Sequence, residues 1–208
     1  ALARCDGRTW AGYADWRLPD ESELQSIVDY GRGASPTIDA TAFPATPANH
    51  FWSSSSYAGS ASAAWSVFFF FDGLVDVYDK ADTYHVRCVR GGPSDVPVPR
   101  FARSEPVASY AVVADVATGL VWQVCAAGVT GSDCTTGSAS AMGWQAALDY
   151  CQDSTWAGFA DWYLPSVDEL RSIVDNRRVS PSIAPTAFPA TPASNFWSSS
   201  SWAGSASN

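Results

Sequence analysis

The chain has 208 residues, a formal net charge of −9 at pH 7 and 47% hydrophobic residues. The negative charge argues against nucleic-acid binding, because phosphates are bound by clusters of Lys and Arg. The longest uninterrupted apolar run, residues 67–71, is far too short to cross a bilayer. The composition therefore indicates a packed globular protein without membrane insertion.

One block of sequence occurs twice. Residues 9–19 return as 155–165, and residues 42–56 return as 187–201, at an offset of 146 residues that shortens to 145. Self-similarity at a fixed spacing indicates a tandem array. The first copy begins inside a helical pattern, and the second ends before any counterpart of residues 65–90. We therefore expect a window on a longer tandem protein, with the unit at each end truncated.

A first helix is predicted in each copy, at about residues 140–153 in the second and, as its tail only, at residues 1–6 in the first. Helical spacing places one apolar face at Trp144, Ala147, Leu148 and Cys151. A connector then leads to a Leu-Pro pair, and a second helix follows. Its inward stripe comprises Leu24, Ile27 and Val28 in the first copy and Leu170, Ile173 and Val174 in the second.

The start of the second helix carries a capping signal in both copies. Asp20 with Glu23, and Ser166 with Glu169, have the spacing of a capping box, which satisfies free backbone N–H groups. The recurrence of Glu23 and Glu169 would also fit a pair of catalytic acids. Capping explains both residues without an active site, and it is the interpretation that we adopt.

The rest of the first copy predicts loop and sheet. Several Pro residues up to position 47 indicate an ordered loop rather than a helix. Apolar runs at 65–71 and 74–78 flank Asp72-Gly73, which is a strong hairpin signal. Residues 84–90 alternate as in a last strand.

A Pro-rich stretch of mixed charge separates the copies. Residues 93–107 show no periodicity and are predicted to be a linker. The first unit is then residues 1–92 and the second is residues 108–208. Within the second unit, residues 111–115 and 118–125 predict a turn that feeds a short strand.

Five Cys favour disulfides and an oxidising compartment. Cys125 and Cys134 lie close together in a Gly/Ser/Thr-rich excursion, where a disulfide would staple a loop. Cys88 could pair with Cys5, which would leave Cys151, the repeat counterpart of Cys5, single. The alternative is that these residues are buried free thiols.

Several motifs occur in a fixed order along nearly the whole chain outside the linker. They are Asp-x-x-Thr-Gly-Leu-Val-Trp at 115–122, Ala-Leu-x-Tyr-Cys at 147–151, Gly-(Tyr/Phe)-Ala-Asp-Trp-x-Leu-Pro at 12–19 and 158–165, Phe-Trp-Ser-Ser at 51–54, and Val-Arg-Cys-Val-Arg-Gly at 86–91. In these motifs the chain resembles the Lcl C-terminal domain family of bacterial extracellular proteins. One departure is Tyr163, where the family usually has Arg, as at Arg17.

The resemblance implies an α+β, C-type-lectin-like module, more distantly similar to formylglycine-generating enzymes. In such a module two helices pack on a small twisted antiparallel sheet with long ordered loops. A disulfide between the first helix and the last strand would fit that fold, in agreement with Cys5–Cys88. The Trp residues are expected to fill a core with little regular structure, namely Trp10, Trp16, Trp52 and Trp65.

The favoured function is a non-catalytic extracellular or cell-surface protein, structural or adhesive, forming part of a bacterial surface filament or stalk. Its expected partners are copies of itself or neighbouring repeats. The alternative is a lectin-like adhesin module that binds glycans, proteins or other components of host or bacterial surfaces. Its ligand residues would be aromatics beside hydroxyls: Trp52, Ser54, Tyr57, Trp197, Ser199 and Trp202.

No cofactor or enzymatic activity is predicted. The hairpin turn and solvent account for the acidic residues Asp72, Asp76, Asp79 and Asp82 without a metal, although calcium is kept as an alternative. Formylglycine-type chemistry would need a reactive Cys pair, whereas Cys125 and Cys134 look structural. A Ser/His/Asp set and a CxxC metal pair are both missing from the sequence.

Overall fold

The structure is a computed structural model and describes residues 1–70, 73–91 and 100–201. The chain divides into two compact units, one built mainly from Ala1–Ser94 and one from Asp95–Ser200. Short helices and small antiparallel sheets make up both units, in agreement with the predicted α+β class.

The first unit contains a three-stranded sheet and a two-stranded ribbon. Its elements are α1 (Leu2–Cys5), β1 (Trp16–Arg17), α2 (Glu21–Gln25), β2 (His50–Ser56), β3 (Ala63–Phe68), β4 (Val75–Asp79) and β5 (Val89–Arg90). Strands β2, β3 and β4 are antiparallel in that order, and β1 pairs with β5. The hairpin predicted across Asp72-Gly73 is confirmed as the β3–β4 pair, while Asp72 lies outside the described residues.

Two apolar clusters hold this unit together. The larger comprises Leu24, Val28, Ile38, Phe51, Val67 and Phe69. The smaller joins Cys5, Leu18, Trp52 and Ala64 beside the Cys5–Cys88 disulfide, which is formed as expected. The disulfide ties the first helix to the segment that leads into β5.

The predicted last strand is shorter than expected. Strand structure is confined to Val89–Arg90, and His85 makes only an isolated parallel bridge to Phe51. The backbone of His85 exchanges hydrogen bonds with β2, donating to His50 O at 3.0 Å and accepting from Trp52 N at 2.9 Å. Ladder pairing stops there, and the chain next brings Cys88 to Cys5 before it reaches β1.

The second unit contains the sheet that precedes the first helix of a repeat. Its elements are β6 (Phe101–Val107), β7 (Tyr110–Asp115), β8 (Val121–Gln123), β9 (Val129–Thr130), β10 (Thr136–Gly137), α3 (Trp144–Gln152), a 3₁₀ helix (Trp156–Gly158) and α4 (Val167–Ser172). Strands β6, β7 and β8 form one antiparallel sheet, and β9 pairs with β10. The predicted Cys125–Cys134 disulfide closes a loop around β9.

The linker prediction is wrong for residues 101–107, because they form β6 and pair with β7. Residues 92–99 lie outside the described part of the chain. Strand β6 is an edge strand whose side chains are mostly exposed, so its sequence is polar like that of a linker. Pro106 lies where the β6–β7 register shifts, and an edge position with a shift tolerates its missing N–H.

An ion pair between the half-exposed Arg100 and a buried carboxylate anchors β6. Asp115 is buried at the end of β7 and accepts hydrogen bonds from Arg100 Nε at 2.9 Å and Nη2 at 2.7 Å. Arg100 Nη2 also donates to Ser172 O on α4 at 2.7 Å. Burial alone would raise the pKa of Asp115, but the Arg100 hydrogen bonds and nearby backbone and side-chain donors lower it. The carboxylate therefore stays charged and connects the sheet to α4.

The two disulfides should differ in their contribution to stability. The double substitution Cys5→Ala and Cys88→Ala removes a disulfide whose cysteines are 83 residues apart in sequence. The cysteines of Cys125–Cys134 are only 9 residues apart. Chain entropy predicts losses of about 4–5 and roughly 2–3 kcal/mol in the free energy of unfolding, respectively. Hydrogen exchange in each unit under denaturant measures both losses. A larger loss from the double Ala variant of Cys125–Cys134 would contradict this prediction.

Candidate functional site

The Phe-Trp-Ser-Ser segment makes the same backbone contact in both units. Ser54 N donates to Pro19 O at 2.8 Å, and Ser199 N donates to Pro165 O at 2.8 Å. Ser54 is exposed and Ser199 is half-buried. The backbone of both predicted ligand residues therefore holds the loop against the start of the second helix.

The next serine in each run also serves the fold. Ser55 Oγ accepts the backbone N–H of Glu21 at 3.0 Å, and Ser200 Oγ accepts that of Val167 at 3.0 Å. Both N–H groups belong to the first residue of a helix, where no partner within the helix is available. These hydroxyls therefore complete the helix caps.

Both predicted capping boxes are present. Glu23 accepts the backbone N–H of Asp20 at 2.9 Å, and Glu169 accepts that of Ser166 at 2.8 Å. Each Asp20 or Ser166 side chain in turn accepts the backbone N–H of the Glu. The interpretation of Glu23 and Glu169 as capping residues is thereby confirmed.

The Tyr163 departure changes the partner of this glutamate. Arg17 donates to both oxygens of Glu23, at 2.6 and 2.5 Å, whereas Tyr163 Oη donates to Glu169 at 2.8 Å. The Arg17 hydrogen bonds lower the pKa of Glu23. Burial would raise the pKa of Glu169, but hydrogen bonds from Ser166 and Tyr163 lower it. Both carboxylates are held ionised, which is the opposite of what a general acid requires.

The predicted aromatic ligand residues differ in exposure. Trp52 is buried and its ring lies 5.0 Å from that of Tyr84, so its burial argues against a direct ligand contact. Tyr57 is half-buried and stands edge-on to Trp65, with ring centroids 5.4 Å apart. Trp197 is exposed. Trp202 lies outside the described residues, and ligand binding at the other predicted positions stays a prediction.

The prediction that Trp10, Trp16, Trp52 and Trp65 pack in the core agrees with the structure for three of them. Trp52 is buried, and Trp16 and Trp65 are half-buried, as expected for packing residues. Trp10 is the exception, because most of its side chain is exposed. Its indole stands 5.5 Å from Trp16, and the expected core packing of Trp10 is wrong for this unit.

A polar cluster that sequence reasoning missed surrounds His50. Its Nδ1 lies 3.2 Å from Ser66 Oγ and its Nε2 lies 3.4 Å from Tyr78 Oη, while its ring stacks on Phe68 at 4.1 Å. Tyr78 Oη also donates to Asp76 Oδ2 at 3.3 Å. The available signal was the hairpin itself, since antiparallel pairing of β2, β3 and β4 brings these positions together.

The cluster has the residue types of a Ser/His/acid relay but not its geometry. Ser66 is fully buried, and its hydroxyl also contacts Asp76 O at 3.4 Å. A nucleophile must reach a substrate, and this hydroxyl faces protein atoms. Burial lowers the pKa of His50, and the nearby charge of Asp76 partly opposes that shift. A neutral His50 is thus part of the packing between the strands.

Neither a metal-binding group of side chains nor a membrane-spanning helix occurs in the part of the chain that the structure describes. Within residues 1–70, 73–91 and 100–201, the His, Cys, Asp and Glu side chains form no group of three that could hold a metal ion. In the same residues, every helix is too short or too polar to pass through a bilayer. Asp79, one of the acidic residues for which calcium is the alternative, accepts the backbone N–H of Ala81 within its own turn.

Together these features define a tandem of small α+β units with structural disulfides and ordered loops. The sequence model of the Lcl C-terminal domain matches residues 1–90 and 111–208, and the chain therefore belongs to that family. No curated protein and no solved structure matches the chain. The C-type-lectin-like assignment accordingly stays a prediction.

His50 should make the first unit sensitive to acid. The pKa of His50 is lowered from 6.5 in the folded state, so protonation favours the unfolded state. The stability that the neutral ring contributes is complete above pH 6.5 and is lost as the pH falls toward the folded pKa. The groups that face the ring are Asp76, Tyr78, Tyr84 and Ser66. We expect the stability of the first unit to decrease between pH 7 and pH 5, as measured by denaturant unfolding.

The matched variant is His50→Asn, because Asn195 occupies the equivalent place in the second copy. It removes the titrating group and should flatten the pH dependence of the first unit over this range. An unchanged slope in His50→Asn would show that another group causes the effect.

Proposed function

We propose that this chain is a non-catalytic, extracellular tandem-repeat protein with a structural or adhesive role, as a segment of a bacterial surface filament or stalk. The single observation that carries the proposal is a contrast between the two copies. The hydrogen bonds that shape the unit recur, whereas several residues capable of chemistry do not.

The recurring contacts are structural. Trp16 Nε1 donates to Trp10 O at 3.1 Å, and Trp162 Nε1 donates to Trp156 O at 3.0 Å. Thr46 Oγ1 donates to Phe43 O at 2.9 Å, a contact repeated at the same distance in the second unit. An array needs the same shape in each unit, and these contacts reproduce it.

Two of the varying positions carry ionisable groups in the first copy. Arg17 becomes Tyr163, and His50 becomes Asn195. A reaction that depended on either residue could not occur in both units. The repeated architecture thus favours a role that depends on shape and length.

The disulfides and the family membership fit a secreted or extracellular protein. Disulfides persist in oxidising compartments and are rare in the cytosol. The proposed partners are neighbouring repeats or copies of the same protein, and the proposed role requires no cofactor.

A lectin-like adhesin is the second candidate, and one exposed edge favours it. Ser54 is exposed, and Tyr57, three residues further along the chain, is half-buried. Lys80 Nζ donates to Ser56 Oγ at 2.9 Å and to Ala61 O at 2.7 Å, which holds this loop in place. An ordered hydroxyl and an aromatic edge could contact a sugar, whereas the burial of Trp52 weakens the predicted platform.

Electron microscopy of the native material tests the structural role. We expect long fibres or stalks with a regular repeat along their length, stable in buffer without reductant. Disulfide mapping of the same material should recover Cys5–Cys88 and Cys125–Cys134. Dispersed monomers, or thiols that are free throughout, would contradict the proposal.

Glycan-array binding separates the two candidates. If the role is purely structural, the chain and its Tyr57→Ala variant give the same background signal. Specific glycan binding that is lost in Tyr57→Ala and retained in the control Tyr163→Ala would favour the adhesin. Tyr163 is a suitable control because it is an exposed tyrosine in the other unit.

A further inference from the structure

The first unit carries an exposed apolar face, which we name the Trp10 face. It consists of Trp10, Ala11 and Tyr13, which lie in one turn and are all exposed, and the guanidinium of Arg90 lies over the Tyr13 ring. The side chain of Trp10 is 67% exposed. Clustered exposed apolar side chains mark interaction surfaces more often than scattered ones do.

The same segment is covered in the second unit. Trp156, the counterpart of Trp10, is only 7% exposed, and Ala157 is buried where Ala11 is exposed. The same left-handed turn occurs in both places, with φ of 52° at Ala11 and 55° at Ala157, and of 81° at both Gly12 and Gly158. The large difference in exposure therefore follows what lies on the segment.

Strand β7 provides the cover. Trp156 Nε1 donates to Ala111 O at 2.9 Å, and the ring of Tyr110 meets the indole edge-to-face at 4.9 Å. The small side chain of Ala111 is itself buried in the same apolar cluster as Trp156. An alanine at this place lets the strand lie close to the indole, and the backbone carbonyl satisfies the indole N–H.

We infer that the Trp10 face is a docking surface for a three-stranded sheet of the β6–β8 kind, joined in cis. In the second unit, residues 100–146 directly precede Ala147 on the same chain. The docked sheet would precede Ala1, the counterpart of Ala147, in the same way. The sheet would place an Ala carbonyl over the Trp10 indole and an aromatic ring at its edge. This inference rests on the proposed tandem architecture and names the contact that completes each unit.

A second copy of the chain is the less favourable source of this sheet. Its own β7 already covers Trp156 and accepts its indole N–H. Transfer of that strand would bury one indole by exposing another, so the apolar surface removed from water would not increase. A sheet of the same unit joined in cis carries no such penalty.

The opposite contrast occurs further along the repeat and supports the same reasoning. Trp197 is 51% exposed, whereas its counterpart Trp52 is 6% exposed within the β2–β3 pair. Cys151 keeps a free thiol where its counterpart Cys5 is bonded to Cys88. Each unit thus exposes a tryptophan whose counterpart in the other unit is covered by that unit's own sheet.

The test is a graft of residues 100–146 directly ahead of Ala1 in the full chain. The accessibility of Trp10 is measured by acrylamide quenching of tryptophan fluorescence. The fluorescence of Trp10 is obtained by subtracting the signal of the Trp10→Phe variant from that of each protein. We expect the quenching constant assigned to Trp10 to fall several-fold in the graft and the emission to shift to the blue. Hydrogen exchange of residues 9–13 should slow in parallel.

The control graft carries Asp at the position copied from Ala111, leaving Ala111 itself unchanged. A carboxylate against the indole should prevent docking, so Trp10 should remain as accessible as in the ungrafted chain. Equal accessibility of Trp10 in the ungrafted chain and in both grafts would overturn the inference. A concentration-dependent protection of Trp10 in the ungrafted chain would overturn it too, by assigning the face to a second copy.

The graft and the imaging experiment fail independently. A protected Trp10 in the graft, together with dispersed native monomers, would retain the docking surface and reject the filament. Native fibres, together with an exposed Trp10 in the graft, would retain the structural role and reject this contact.

Discussion

The second unit depends on a sheet that covers the aromatic connector between its two helices. In the second unit, β7 buries Trp156 and accepts its indole N–H through Ala111 O. The indole of Trp162 in turn donates to Trp156 O, so the covered connector also positions the chain that leads to α4. An indole N–H buried without an acceptor would be costly, and the carbonyl of β7 removes that cost. The contact with β7 therefore both buries the Trp156 ring and gives its N–H an acceptor.

Loops in this protein are held by specific polar contacts rather than by long helices or broad sheets. The Phe-Trp-Ser-Ser segment binds the Leu-Pro corner through its backbone and the next helix through a serine hydroxyl. The capping box closes the same helix start from the other side. Short elements that are individually weak become ordered because each end is tied to a neighbour. A repeat built this way can tolerate changes such as Arg17 to Tyr163, provided that the glutamate keeps a donor.

Local patterns predicted the short-range features well. The capping boxes of both second helices, the β3–β4 hairpin and the Cys125–Cys134 loop all follow from residues close in the chain. For Cys5 and Cys88 the local pattern leaves free thiols as an alternative, and the resemblance to the family favours the disulfide that the structure contains. The linker prediction failed at Phe101–Val107 because an exposed edge strand has the polar sequence of a linker, and only its pairing with β7 distinguishes the two. The His50 cluster depends on three strands, and only the β3–β4 hairpin among their pairings has a local signal.

The tandem repeat, the family and the capped starts of α2 and α4 follow from the sequence alone, because these depend on order and spacing along the chain. The helix expected from residue 140 begins only at Trp144. Which aromatic residues are buried is visible only in the tertiary structure. Trp10 and Trp156 have nearly the same neighbours in sequence and are followed by the same left-handed turn, but a sheet covers one and not the other. Burial depends on what packs against a side chain from elsewhere in the fold, and that information does not reside in the local pattern.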